Sequence, residues 1–189
     1  MKRKILLFTT ATTMVLSSTV NAQDNEPQPQ PTQNQSPESI CLTDENFRAF
    51  DFWLGDWSVT TNGSNRIQGT NSITSIERGC ALLEKWTSAT GGTGMSTNHY
   101  DPTTGKWRQV WLSAGAYSID IEGGLLNGSM ALKGTIAYYG TGKRFPFRGT
   151  WVPLLDGTVR QHFEQFNPEK DEWATWFDGI YTRTNGAQE

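Results

Sequence analysis

From Gly55 onward the chain alternates short segments of β-forming residues with compact turn motifs, and this rhythm limits its fold more than any other feature. The breaks read "TNGSN", "ATGGTG", "DPTTGK", "LNGS", "YYGTGKRFP", "LLDGT" and "NPEKDE". Gly, Asn, Asp and Pro provide the positive or fixed φ that tight turns need, so each motif ends one extended segment and starts another. The pattern predicts strands at 55–61, 66–77, 81–89, 94–100, 106–113, 116–125, 129–139, 146–154, 158–166 and 172–183. Asn127-Gly128 and Asp156-Gly157 are the firmest hairpin turns, both fitting types that require positive φ. An open, twisted sheet of this many strands would leave two exposed edges, and closure removes them. The expected fold class is therefore all-β, an antiparallel up-and-down β-barrel of about ten strands.

Ahead of the strands, Thr43 or Asp44 can cap a short helix whose apolar positions Phe47, Phe50 and Leu54 share one face. This helix is expected to lie as a lid on the barrel, with Phe52 and Trp53 plugging its end. Residues 1–22 carry Lys2, Arg3 and Lys4, an apolar and Thr-rich run, and Val20-Asn21-Ala22 at the end, which is the pattern of a cleaved signal peptide. No apolar run reaches the roughly 18 to 20 residues of a membrane span. Residues 23–40, opening with "QDNEPQPQPTQNQSPES", read as a disordered linker. Residues 41–185 are then the barrel domain and 186–189 a tail. Cleavage after Ala22 takes the formal charge from −3 to −6 by removing three cations, and an acidic chain excludes nucleic acid as the expected partner. The expected location is the periplasm or the exterior.

Export would place the two cysteines, Cys41 and Cys80, in an oxidising compartment. Bridging them would close a loop of about 40 residues and stabilise the fold by roughly 4 kcal/mol. Two buried free thiols are the alternative. Neither cysteine stands at metal-ligand spacing from His99 or His162, so no metal site is expected. No cofactor is expected either.

Strand alternation sorts side chains by face, and a one-residue slip reverses the sorting. In "ALLEKW" Leu82, Glu84 and Trp86 share a face; in "KWRQVWLS" Trp107, Gln109 and Trp111 do. Lys106 and Arg108 mark the solvent side of the second segment. Trp151 is a further inward candidate. In "VRQHFEQF" either Gln161, Phe163 and Gln165 or Arg160, His162 and Glu164 face inward, and both choices place polar groups among aromatics. A closed core avoids buried polar groups unless each finds a partner, for example Glu84 with Arg160, whereas a ligand cavity uses a few of them to orient its guest. Glu84, Trp86, Trp107, Gln109, Trp111, Trp151 and Gln161 are accordingly the expected lining of a small-molecule cavity. The expected function is the binding of a small amphipathic or apolar molecule without catalysis. One alternative is a hydrolase or isomerase with Glu84 or His162 as general base.

Gly55-Asp56-Trp57 at the start of the first strand and Arg183 in the closing "FDGIYTR" resemble the calycin superfamily of lipocalins and fatty-acid-binding proteins. That resemblance implies that Trp57 packs under Arg183 and closes one end of a barrel, a structural role shared with Trp53. "FDFWLGDW", "GCALLEKW", "YDPTTGKWRQVW", "EGGLLNGSM" and "TWVPLLDGTVRQ", in this order, are similar to a family of exported bacterial domains with a lipocalin-like barrel and no assigned substrate. The ten-stranded nitrobindins are also calycins and bind haem through a histidine. Haem binding through His162 is thus a further alternative.

Overall fold

A computed structural model describes residues 39–184 of the chain. The signal-peptide segment, most of the linker segment and the tail lie outside that range. Ten strands form one closed antiparallel barrel: β1 (Gly55–Thr61), β2 (Ile67–Ile76), β3 (Ala81–Ser88), β4 (Thr93–Asp101), β5 (Lys106–Ser113), β6 (Tyr117–Leu126), β7 (Ser129–Tyr138), β8 (Arg144–Pro153), β9 (Val159–Asn167) and β10 (Glu172–Arg183). Each strand pairs with its sequence neighbours, and β1 pairs with β10 to close the sheet. At Asn127-Gly128 both residues take positive φ, at 52° and 79°, as a two-residue hairpin demands. The Asp156-Gly157 turn differs from expectation, because only Gly157 is left-handed, at 81°. Gly157 N–H donates to Leu154 O and Leu154 N–H to Thr158 O, so the loop is a turn followed by a left-handed glycine.

The lid is broken rather than continuous. Two single-turn helices, α1 (Ile40–Thr43) and α2 (Glu45–Arg48), precede a 3-10 turn at Asp51–Trp53. Ser39 caps α1, so Ser39 and Ile40 belong to the folded domain and not to the linker. Asp44 is extended between the helices and accepts from Asn46 N–H at 2.8 Å, which starts α2 anew. Phe50 consequently leaves the helical face and points into the barrel with Trp53. Both are fully buried, their rings stacked with centroids 5.0 Å apart. Trp107 and Trp151 meet Phe50 edge-on at 5.6 and 5.2 Å. Phe52 is only half-buried, so Phe50 takes the plugging place expected of it.

Three attachments hold this plug to the barrel wall. Cys41 and Cys80 are disulfide-bonded, with α-carbons 4.8 Å apart. Arg48 is ion-paired with Asp51 and donates to the carbonyls of Cys41 and Gly79, which ties α2 to the same corner. Trp57 Nε1 donates to Trp53 O at 3.0 Å, and the Arg183 guanidinium lies 4.2 Å from the Trp57 ring centroid while donating to Leu54 O. Trp57 and Arg183 are direct cross-strand partners, so the β1–β10 closure itself sets the stack. Among the described residues no helix is long and apolar enough to cross a membrane.

Candidate functional site

Alternation along ten strands gives the barrel an interior in three layers. The strand positions nearest the plug place Trp57, Trp107, Trp151 and Met130 around Phe50 and Trp53, all buried. One step further along the axis the inward residues become polar: Asn71, Glu84, Ser96, Asn98, Gln109 and Gln161, with Tyr181. Beyond these, toward the unplugged end, stand Trp86, Trp111, Tyr117, Phe163, Trp176 and Phe177. A cavity of about 200 Å³ occupies this last layer, with Gln68 and Ser88 near its mouth and Glu84, Gln161 and Tyr181 at its floor.

The polar layer is a continuous hydrogen-bonded band. Ser96 is the cross-strand partner of Glu84, and its hydroxyl donates to Glu84 Oε2 at 2.6 Å. Asn71 Nδ2 donates to Glu84 Oε1 at 2.7 Å and to the Tyr181 hydroxyl at 3.3 Å. Asn98 Nδ2 donates to Ser96 Oγ at 2.8 Å, and Gln109 Nε2 to Asn98 Oδ1 at 2.9 Å and Ser96 Oγ at 3.4 Å. Tyr181 donates in turn to Gln161 Oε1. Burial pushes the Glu84 carboxyl up to about 7 from its ordinary 4.5, and the hydrogen bonds from Ser96 and Asn71 hold it from rising further. The same burial, with the nearby Glu84 carboxyl, raises the Tyr181 hydroxyl far above its usual value. Tyr117 is pushed up to about 12, chiefly by burial.

Glycines on the inner face allow the aromatic walls to lie flat. A β-carbon at Gly94 would come within 2.9 Å of three atoms of the Trp111 ring, and one at Gly69 would run into Trp86 and the Thr87 carbonyl. A β-bulge between Thr175 and Phe177 turns both Trp176 and Phe177 toward the interior. Trp176 Nε1 donates to the Tyr138 hydroxyl, which donates to Gln165, and the indole ring is thereby fixed against Tyr117 with centroids 5.1 Å apart. The Trp111 indole forms part of the cavity wall, with its buried Nε1 beside the Tyr117 hydroxyl.

The expected lining residues all face inward, but at three depths. Trp86 and Trp111 form cavity wall, and Glu84 and Gln161 its floor. Gln109 sits behind Ser96 in the polar band, while Trp107 and Trp151 belong to the plug and do not line the cavity. For β9 the structure selects Gln161 and Phe163 as inward. His162 is therefore on the outer face, its Nε2 3.0 Å from Thr175 Oγ1, and as general base or haem ligand within the cavity it is ruled out by direction. Arg160 also faces outward and holds Asp178 in a two-pronged pair, so it does not neutralise Glu84. Asn71, Asn98, Tyr117, Tyr181, Trp176 and Phe177 were not among the expected site residues. A polar residue at every second position, as in Ser96 and Asn98, is the signal that could have marked the band.

No family model matches the chain, and no curated protein matches it.

Proposed function

We propose that this is an exported barrel that takes up a small amphipathic or apolar molecule through its unplugged end and performs no chemistry on it. The carrying observation is the cavity of about 200 Å³ with aromatic walls, a polar group with acceptor capacity to spare at its floor, Glu84, and a plug that blocks only the opposite end. At interior packing density such a space holds on the order of ten non-hydrogen atoms, the size of a small ring system or a short chain. Export and a periplasmic location are supported by the N-terminal pattern and by the Cys41–Cys80 disulfide. The reading is tested by native mass spectrometry and tryptophan quenching of the purified protein against lipids and small aromatics. A one-to-one adduct whose quenching is lost in Trp111→Ala is expected; the absence of any adduct or quenching across the panel sinks it.

A second reading rests on Glu84 alone. A carboxyl that titrates near 7 at the floor of a cavity is suited to proton abstraction. Turnover of an ester, lactone or glycoside by the wild type, lost in Glu84→Gln, would establish it, and an inactive wild type removes it.

A further inference from the structure

Two donors of the polar band, Ser96 Oγ and Asn71 Nδ2, end on Glu84, and no member of the band is a cation. The two acceptor positions of Ser96 Oγ are taken by Asn98 and Gln109, so its proton is committed to Glu84 Oε2, and Asn71 occupies Oε1. Both carboxyl oxygens thus act as acceptors, the pattern of the ionised group. Each retains room for a second hydrogen bond from the cavity side. The arginines on the wall, Arg108, Arg148 and Arg160, point outward to Asp120, Glu164 and Asp178. Among the described residues no lysine, arginine or histidine lines the cavity. Burial favours the neutral form of such a carboxyl, so above pH 7, where Glu84 ionises, it gains from a counter-charge that the protein wall does not provide.

The remaining walls favour the same sign of charge. Trp86, Trp111, Trp176, Tyr117, Phe163 and Phe177 present ring faces and edges around the space above Glu84, and aromatic faces attract cations through their quadrupoles. The acidic chain as a whole draws cations toward it. Resting on the reading that the interior binds a small molecule, the geometry points to an organic cation as its occupant: a protonated amine whose ammonium group meets Glu84 and whose apolar body lies among the rings. A neutral amphiphile of the same shape would leave the carboxylate uncompensated, and an anion would oppose it.

Three probes of nearly one shape separate these cases: 2-phenylethylamine, 2-phenylethanol and 3-phenylpropionate, titrated into the wild-type protein by calorimetry and tryptophan fluorescence at pH 8 and pH 5. The amine is expected to bind roughly tenfold or more tighter than the alcohol at pH 8, with the acid weakest. The preference should shrink at pH 5, where Glu84 is protonated; Tyr117 and Tyr181, the other titratable groups facing the cavity, remain neutral throughout. Glu84→Gln should abolish the preference of the amine over the alcohol, and the pH comparison on the wild type stands even if that variant does not fold. Equal affinity for amine and alcohol, or tighter binding of the acid, overturns the cation assignment and leaves interior binding intact. If none of the three binds, the assignment also falls, and the lipid and aromatic panel, which does not depend on charge, decides interior binding separately.

Discussion

The Ser96 hydroxyl donates to Glu84 Oε2 at 2.6 Å while Asn98 and Gln109 donate to that same hydroxyl, so the chain of donors across β3, β4 and β5 ends on one buried carboxyl. A carboxyl so placed is stabilised by its donors and penalised by its burial, and burial is the larger effect.

The first prediction is a stability that declines with rising pH. The folded value of about 7 lies above the ordinary 4.5 that the unfolded chain has, so the contribution of Glu84 is complete below 4.5. It is lost as the pH rises through 7, because the unfolded state ionises first, and the difference is on the order of 3 kcal/mol. Urea denaturation of the wild type at pH 5 and pH 8 measures it. In Glu84→Gln the dependence across this window should largely vanish, since Asp120, Asp178 and Glu164 are held below the usual carboxylate range by their arginines and act only at lower pH. An unchanged pH dependence in the variant would contradict the assignment.

Loss of the disulfide should release the plug. Cys41 and Cys80 are 39 positions apart, and opening that loop is expected to lower stability by roughly 4 kcal/mol. Chemical denaturation with and without reductant gives the difference, and thiol titration of the unfolded, unreduced protein should find no reactive cysteine. Equal midpoints in the two conditions would mean that the corner is held by Arg48 and packing alone.

Phe50→Ala and Phe52→Ala separate the two phenylalanines of "FDFWLGDW". Phe50 is fully buried among Phe52, Trp53, Trp107 and Trp151, so its removal leaves a cavity and should cost about 3 to 5 kcal/mol. Phe52 is half-buried and should cost markedly less. Thermal denaturation of the two variants side by side is sufficient, and the reverse order would place the plug on the wrong ring.

Strand positions were legible in the sequence because turns are local: Gly, Asn, Asp and Pro fix φ whatever surrounds them. Inward faces were legible where one side carried charge, as Lys106 and Arg108 do on β5. They were ambiguous on β9, where both faces mix aromatic and polar groups. There the decision lies in pairs on neighbouring strands, Arg148 with Glu164 and Arg160 with Asp178, that no single segment displays. The bulge in β10 breaks the two-residue period just where Trp176 and Phe177 enter the wall, and β4 buries Ser96 and Asn98 while exposing Met95. Depth along the axis was not legible at all. Trp107 and Trp111 are four residues apart on one face, yet one packs under Phe50 and the other walls the cavity, because the plug comes from a distant segment.

Gly94→Ala tests whether the wall has a single position. The backbone there is not left-handed, so alanine adds no conformational strain; its only conflict is steric, with a methyl group within 2.9 Å of three Trp111 ring atoms. The strand backbone is held by pairing with β3 and β5, whereas the ring borders open space, so the ring should yield and move into the cavity. Such overpacking is expected to cost about 1 to 3 kcal/mol, less than the loss of Phe50. The interior should shrink while the fold persists: tryptophan emission shifts, binding of any interior ligand weakens at least tenfold, about 1.4 kcal/mol, and far-ultraviolet circular dichroism stays the same. Wild-type affinity in a folded Gly94→Ala variant would show that Trp111 does not bound the binding space.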